Sequence, residues 1–84
     1  MLIEIFEAKG FTEPKTDLDA LIINLHRKYS DELMIQKVDV LDKTSMKRHK
    51  DVVKLIKDKG LDTLPLIKLD NKLVSQNKLE KLMG

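Results

Sequence analysis

There is no cysteine in these 84 residues. That one absence removes disulfides, thiolate metal ligands and thiol catalysis together. Aromatics are almost as scarce: Phe6, Phe11 and Tyr29 are the whole set, so a core must be built from Leu, Ile, Val and Met. Gly10, Gly60 and Gly84 stand apart from one another, which leaves no Gly-rich loop to cradle phosphate. No apolar run approaches the roughly 20 residues that span a bilayer, and no membrane partner is expected. Met1-Leu2-Ile3-Glu4-Ile5 places an acid where a secretory signal needs basic and then continuous apolar sequence. A cytoplasmic protein is the expectation.

What is present is aliphatic and heavily charged, 42% hydrophobic and 36% charged with a net charge of +2, as in one ordinary small domain. Leu2 to Phe6 alternates and is β-branched enough for a first strand. Leu18, Leu21, Ile22, Leu25 and Tyr29 follow at helical spacing, with Thr16-Asp17 or Thr12 before Pro14 as alternative starts. Leu33 to Leu41 reads as a second strand, polar enough for an edge. A second helix runs from a Thr44 or Ser45 cap to Gly60 and turns Met46, Val52, Val53 and Ile56 inward. Leu64 to Leu69 makes a third strand, Asp70-Asn71 a two-residue hairpin loop and Lys72-Leu73-Val74 a fourth strand. A helix from about Gln76 to Met83 closes the chain. Strands 1 and 3 read as apolar on both sides, so helices must cover both faces of the sheet.

The order β-α-β-α-β-β-α, with Thr63-Leu64-Pro65 opening strand 3 and a hairpin soon after, resembles the thioredoxin/glutaredoxin fold. The resemblance implies a four-stranded mixed α/β sheet, a cis Leu64–Pro65 bond and a peptide-docking backbone at Leu64. It places Gly10 to Lys15 where the family carries Cys-x-x-Cys. Ser45 to Val74, with Gly60, Leu64-Pro65-Leu66 and Leu69-Asp70-Asn71-Lys72, looks like the arsenical-resistance metallochaperone and repressor family. Thr16-Asp17-Leu18-Asp19 looks like that family's entry to its first helix. Those proteins bind arsenite through cysteines that this chain does not have.

A redox-inactive binding or adaptor module for a protein or peptide is therefore expected, with no cofactor and no thiol–disulfide activity. Its candidate site is the edge at Leu64 and Pro65 with the loop Phe11, Thr12, Glu13 and Pro14. Phe11 is either a recognition anchor or a cap on the small core. From Lys43 to Lys59 the sequence has seven Lys or Arg against two Asp. Lys47, Arg48, Lys50 and Lys54 are thus candidate anion ligands for a nucleic-acid regulator or simply a solvated face. Lysine without aromatics signals neither base reading nor stacking. A third reading, a glutathione-using enzyme with Thr12 activating the bound thiol, lacks the diglycine that the family has where Ser75-Gln76-Asn77 stands. His26 and His49 sit on separate helices without ligand spacing, and His49 reads as a partly buried structural histidine. Glu4, Glu7, Glu13, Asp17 and Asp19 form no pair that spacing enforces.

Overall fold

The computed structural model describes residues 1–10 and 16–83. Strand β1 (Leu2–Glu7) leads through helix α1 (Thr16–Tyr29) to strand β2 (Met34–Asp39). Helices α2 (Lys43–Met46) and α3 (Lys50–Lys59) follow, then strands β3 (Leu66–Leu69) and β4 (Lys72–Val74) and helix α4 (Gln76–Lys81). The sheet order is β2-β1-β3-β4. β2 runs parallel to β1, β3 antiparallel to β1, and β4 antiparallel to β3. This is an α/β protein with a mixed four-stranded sheet.

Alternation along β1 divides the core. Ile3 and Ile5 point to one side with Ile67, where Leu18 and Leu25 of α1 and Leu79 of α4 cover them. Phe6 and Ala8 point to the other, against Met46, Val52 and Leu64. The Tyr29 hydroxyl donates to the Leu82 carbonyl at 2.9 Å, tying the end of α1 to the chain beyond α4. Asp70 and Asn71 both take positive φ, 48° and 70°, which short polar side chains tolerate in a tight hairpin. Asp70 Oδ1 also accepts from the Leu2 N–H at 2.8 Å.

Four expectations need correction. The second helix is two helices: His49 leaves helical geometry with φ −120° and ψ 52°, and its carbonyl accepts the Val53 N–H that starts the next turn. The first piece is capped by Asp42, whose carboxylate accepts from Thr44 and Ser45 N–H, and not by Thr44 or Ser45. Strand 3 starts two residues late because Leu61–Thr63 form a 3-10 turn after Gly60, whose φ of 82° suits glycine. The Leu64–Pro65 bond is cis.

The fourth correction positions the site. β1 and β3 are not apolar on both sides, since Glu4 and Lys68 face α3 as direct cross-strand partners. Across the sheet Gln36, Glu4, Lys68 and Leu73 form one row, and Val38, Phe6 and Leu66 the next. Val52, Val53 and Ile56 of α3 pack on the second row. The polar row is left to the α2–α3 turn.

Candidate functional site

Three charged or polar side chains are buried beside that turn. Glu4 is 2% exposed, and His49 and Lys68 are each 4% exposed. Burying charge is costly unless each group finds a partner, so the connections decide what the cluster is. Lys68 Nζ donates to Asp51 Oδ1 at 2.9 Å and lies 3.1 Å from His49 Nδ1. An ammonium only donates, so Nδ1 accepts and the proton of the neutral imidazole sits on Nε2. Nε2 in turn faces Glu4 Oε2 at 3.4 Å. Asp51, Lys68, His49 and Glu4 thus form a chain from the half-exposed Asp51 to a fully buried carboxylate.

Phe6 walls the chain on its apolar side. Its ring meets His49 edge-on with centroids 4.7 Å apart, and Lys68 Nζ lies 5.7 Å from its centre. Glu4 Oε1 is buried with no hydrogen-bond partner among the described residues.

The surroundings fix the titration of two members. Burial, reinforced by the Lys68 ammonium, pulls the His49 imidazole below its ordinary 6.5, while Glu4 opposes that shift. Burial pushes the Asp51 carboxyl up, but hydrogen bonds from Lys68 and the Val52 N–H outweigh it and hold the group below its ordinary value. A histidine depressed on folding contributes stability that is complete above its unfolded value and is lost as pH falls through the folded one. The protein should therefore lose stability as pH drops below about 6.5, well before carboxylates titrate. Denaturant melts from pH 7.5 to 5 of the wild type and of His49→Gln test this. The variant should show a flatter dependence; equal slopes would mean that His49 does not carry the effect.

A cleft of about 730 Å³ opens over this chain, and Glu4, His49, Asp51 and Lys68 lie in its wall. Lys47, Arg48 and Lys50 stand at its rim, all exposed. A second groove, about 660 Å³, runs along the outer side of α2 and α3. Met46, buried, and Val53, half-buried, form its floor, with Lys47, Lys50, Lys54 and Lys57 around them and Asp58 at one end. None of the rim cations makes an ion pair among the described residues. The structure thus gathers the four predicted anion ligands, Lys47, Arg48, Lys50 and Lys54, around two adjoining depressions.

The other predicted site is less complete. Phe11, Thr12, Glu13 and Pro14 lie outside the described residues. Leu64 is buried, and its N–H donates to the Leu61 carbonyl at 3.1 Å, so it offers an incoming strand no free donor. Pro65 is half-buried beside it. Ser75, where the glutaredoxin resemblance implies a diglycine, caps α4 by accepting the Lys78 N–H at 3.3 Å.

Sequence reasoning missed the buried chain. Glu4 and Lys68 are 64 residues apart, so only the strand register brings them together. A signal was nonetheless available: alternation puts Glu4 on the side of Phe6 and Lys68 on the side of Leu66, and buried charges at those positions demand partners. His49 is more deeply buried than the expected partial burial and is held by Lys68, Glu4 and Phe6. Among the described residues no three metal-ligating side chains converge, and no helix is long and apolar enough to cross a membrane. No protein-family model matches the sequence, and comparison with curated proteins gives no match.

Proposed function

We propose that this chain is a thioredoxin-like binding module without thiol chemistry, docking an acidic, partly apolar segment of another protein along α3. The groove carries the reading: four lysines surround a floor of Met46 and Val53. Lysine heads meet carboxylates, while an apolar floor rewards an apolar side chain between them. Support for the thioredoxin-like build comes from the sheet order, the antiparallel β3 and the helices on both faces. The likeness to the arsenical-resistance proteins is one of build; their arsenite chemistry has no ligands here.

The occupied Leu64 N–H moves the docking site away from the Leu64–Pro65 edge and toward the lysine face. Nucleic acid is the competing partner, since the same lysines match phosphates. The apolar floor favours protein, because a phosphate backbone gains nothing from Met46 and Val53.

Salt and charge reversal separate the two. Lys54→Glu with Lys57→Glu should weaken binding of a Glu-rich, leucine-containing peptide about tenfold or more. Stability should change by only about 0.5 kcal/mol, as usual for exposed positions. The peptide should keep part of its affinity at high salt. Duplex DNA that binds more tightly than the peptide, with a log–log salt slope near −0.9 per neutralised phosphate, would replace this partner with nucleic acid.

A further inference from the structure

Glu4 makes an unusual demand on its surroundings. A buried carboxylate oxygen without a hydrogen bond loses the solvation it had in water and regains nothing. Oε1 of Glu4 is in that position, while Oε2 faces the Nε2 proton of His49. The Lys68 ammonium is directed at His49 and Asp51 and does not meet Oε1. The unmet need is for one donor, at a residue that lines the cleft.

The outer part of the same cleft has the opposite need. Lys47, Arg48 and Lys50 stand there without ion pairs among the described residues. The amides of Gln36 and Asn71 complete the lining with groups able to donate and accept. A metal ion suits neither end: no three ligating side chains converge among the described residues, and cations surround the space. About 730 Å³ is ample for a small organic molecule, within the roughly 300–1,000 Å³ of ordinary ligand sites.

We infer that the cleft between the α2–α3 turn and the Glu4–Lys68 strand pair binds a small organic anion that also carries N–H donors. Its anionic end meets Lys47, Arg48 and Lys50, and its donor end satisfies Glu4 Oε1. Oε1 is closed to solvent in this structure, so the donor reaches it only when the side chains over it move. This inference shares Lys47 and Lys50 with the docking face on α3 but is separable from it, since it rests also on Glu4 and not on Lys54 or Lys57.

Guanosine 5′-monophosphate is a suitable probe, because its base edge presents two adjacent N–H groups to a carboxylate and its phosphate supplies the charge. Guanosine and inorganic phosphate each carry one half of that chemistry. Titrated into the ¹⁵N-labelled wild-type protein, the nucleotide should bind at least about tenfold more tightly than either half. Amide shifts should centre on Gln36, Lys47, Arg48 and Lys68. Glu4→Gln should bring the nucleotide to the level of phosphate and leave phosphate itself unchanged. Lys54→Glu with Lys57→Glu should leave nucleotide binding intact, which separates this site from the peptide groove.

Phosphate binding as well as the nucleotide would overturn the donor half. Guanosine binding as well would overturn the anionic half. No shift in the cleft at millimolar nucleotide would overturn the whole, leaving a single water as the occupant of Oε1. These comparisons use the wild type alone, so a poorly folding Glu4→Gln does not protect the inference.

Discussion

Lys68→Met should destabilise the protein by about 2–4 kcal/mol, and adding Glu4→Leu to the same chain should restore most of it. Removing one member of a buried ionic pair leaves the other charged and unsolvated, whereas replacing both with apolar groups removes the desolvation cost as well. Lys68 is the one ammonium that touches both His49 and Asp51, and it sits across the strand pair from Glu4. Lys68 and Glu4 share no direct ion pair and are linked through His49, so losing the ammonium leaves the buried carboxylate with no cation in that chain of contacts. Half of the Asp51 side chain remains exposed, so Asp51→Asn should cost less than about 1 kcal/mol, as for a solvated pair. Urea melts of the wild type and the three variants check this. A double variant as unstable as Lys68→Met would show that the lysine acts through packing and not through charge.

Phe6→Ala should be more damaging still. Phe6 is fully buried among Ala8, Met46, Val52 and Leu64, and truncating such a ring leaves a cavity costing about 3–5 kcal/mol. Its edge-on contact with His49 adds roughly 0.5–1.5 kcal/mol to that loss. A domain of this length has only about 4–12 kcal/mol in all, so the variant should be largely unfolded or melt far below the wild type. Phe6→Leu should recover a large part of the difference. Near-wild-type melting of Phe6→Ala by circular dichroism would mean that the α3 side of the core is not organised around this ring.

The parts of the architecture that were legible in the sequence follow from local rules. Apolar spacing from Leu18 to Tyr29 marks α1, Gly60 marks the end of α3, and Asp70-Asn71 marks the hairpin. The break at His49 was hidden because Met46, His49, Val52 and Ile56 keep helical spacing across it and no Gly or Pro interrupts them. Asp42 was hidden as a cap for a related reason: Thr44 and Ser45 are equally good caps by residue type, and only the backbone decides. The buried chain is a product of strand register, which no window of sequence contains. None of its links is local: the shortest in sequence, Lys68 to Asp51, spans 17 residues. The lysine face needed less, since helical spacing alone aligns Lys47, Lys50, Lys54 and Lys57. Its apolar floor, however, depends on how the α2–α3 turn sets Met46 beside Val53.

The most direct test of the proposed docking face is a map of where a peptide lands. Into ¹⁵N-labelled protein one titrates a short peptide rich in glutamate, with leucines at helical spacing, and follows the backbone amides. The account predicts shifts concentrated from Met46 to Asp58, absent in Lys54→Glu with Lys57→Glu. Shifts confined to Leu64, Leu66 and the residues beside them, or none at millimolar peptide, would contradict it.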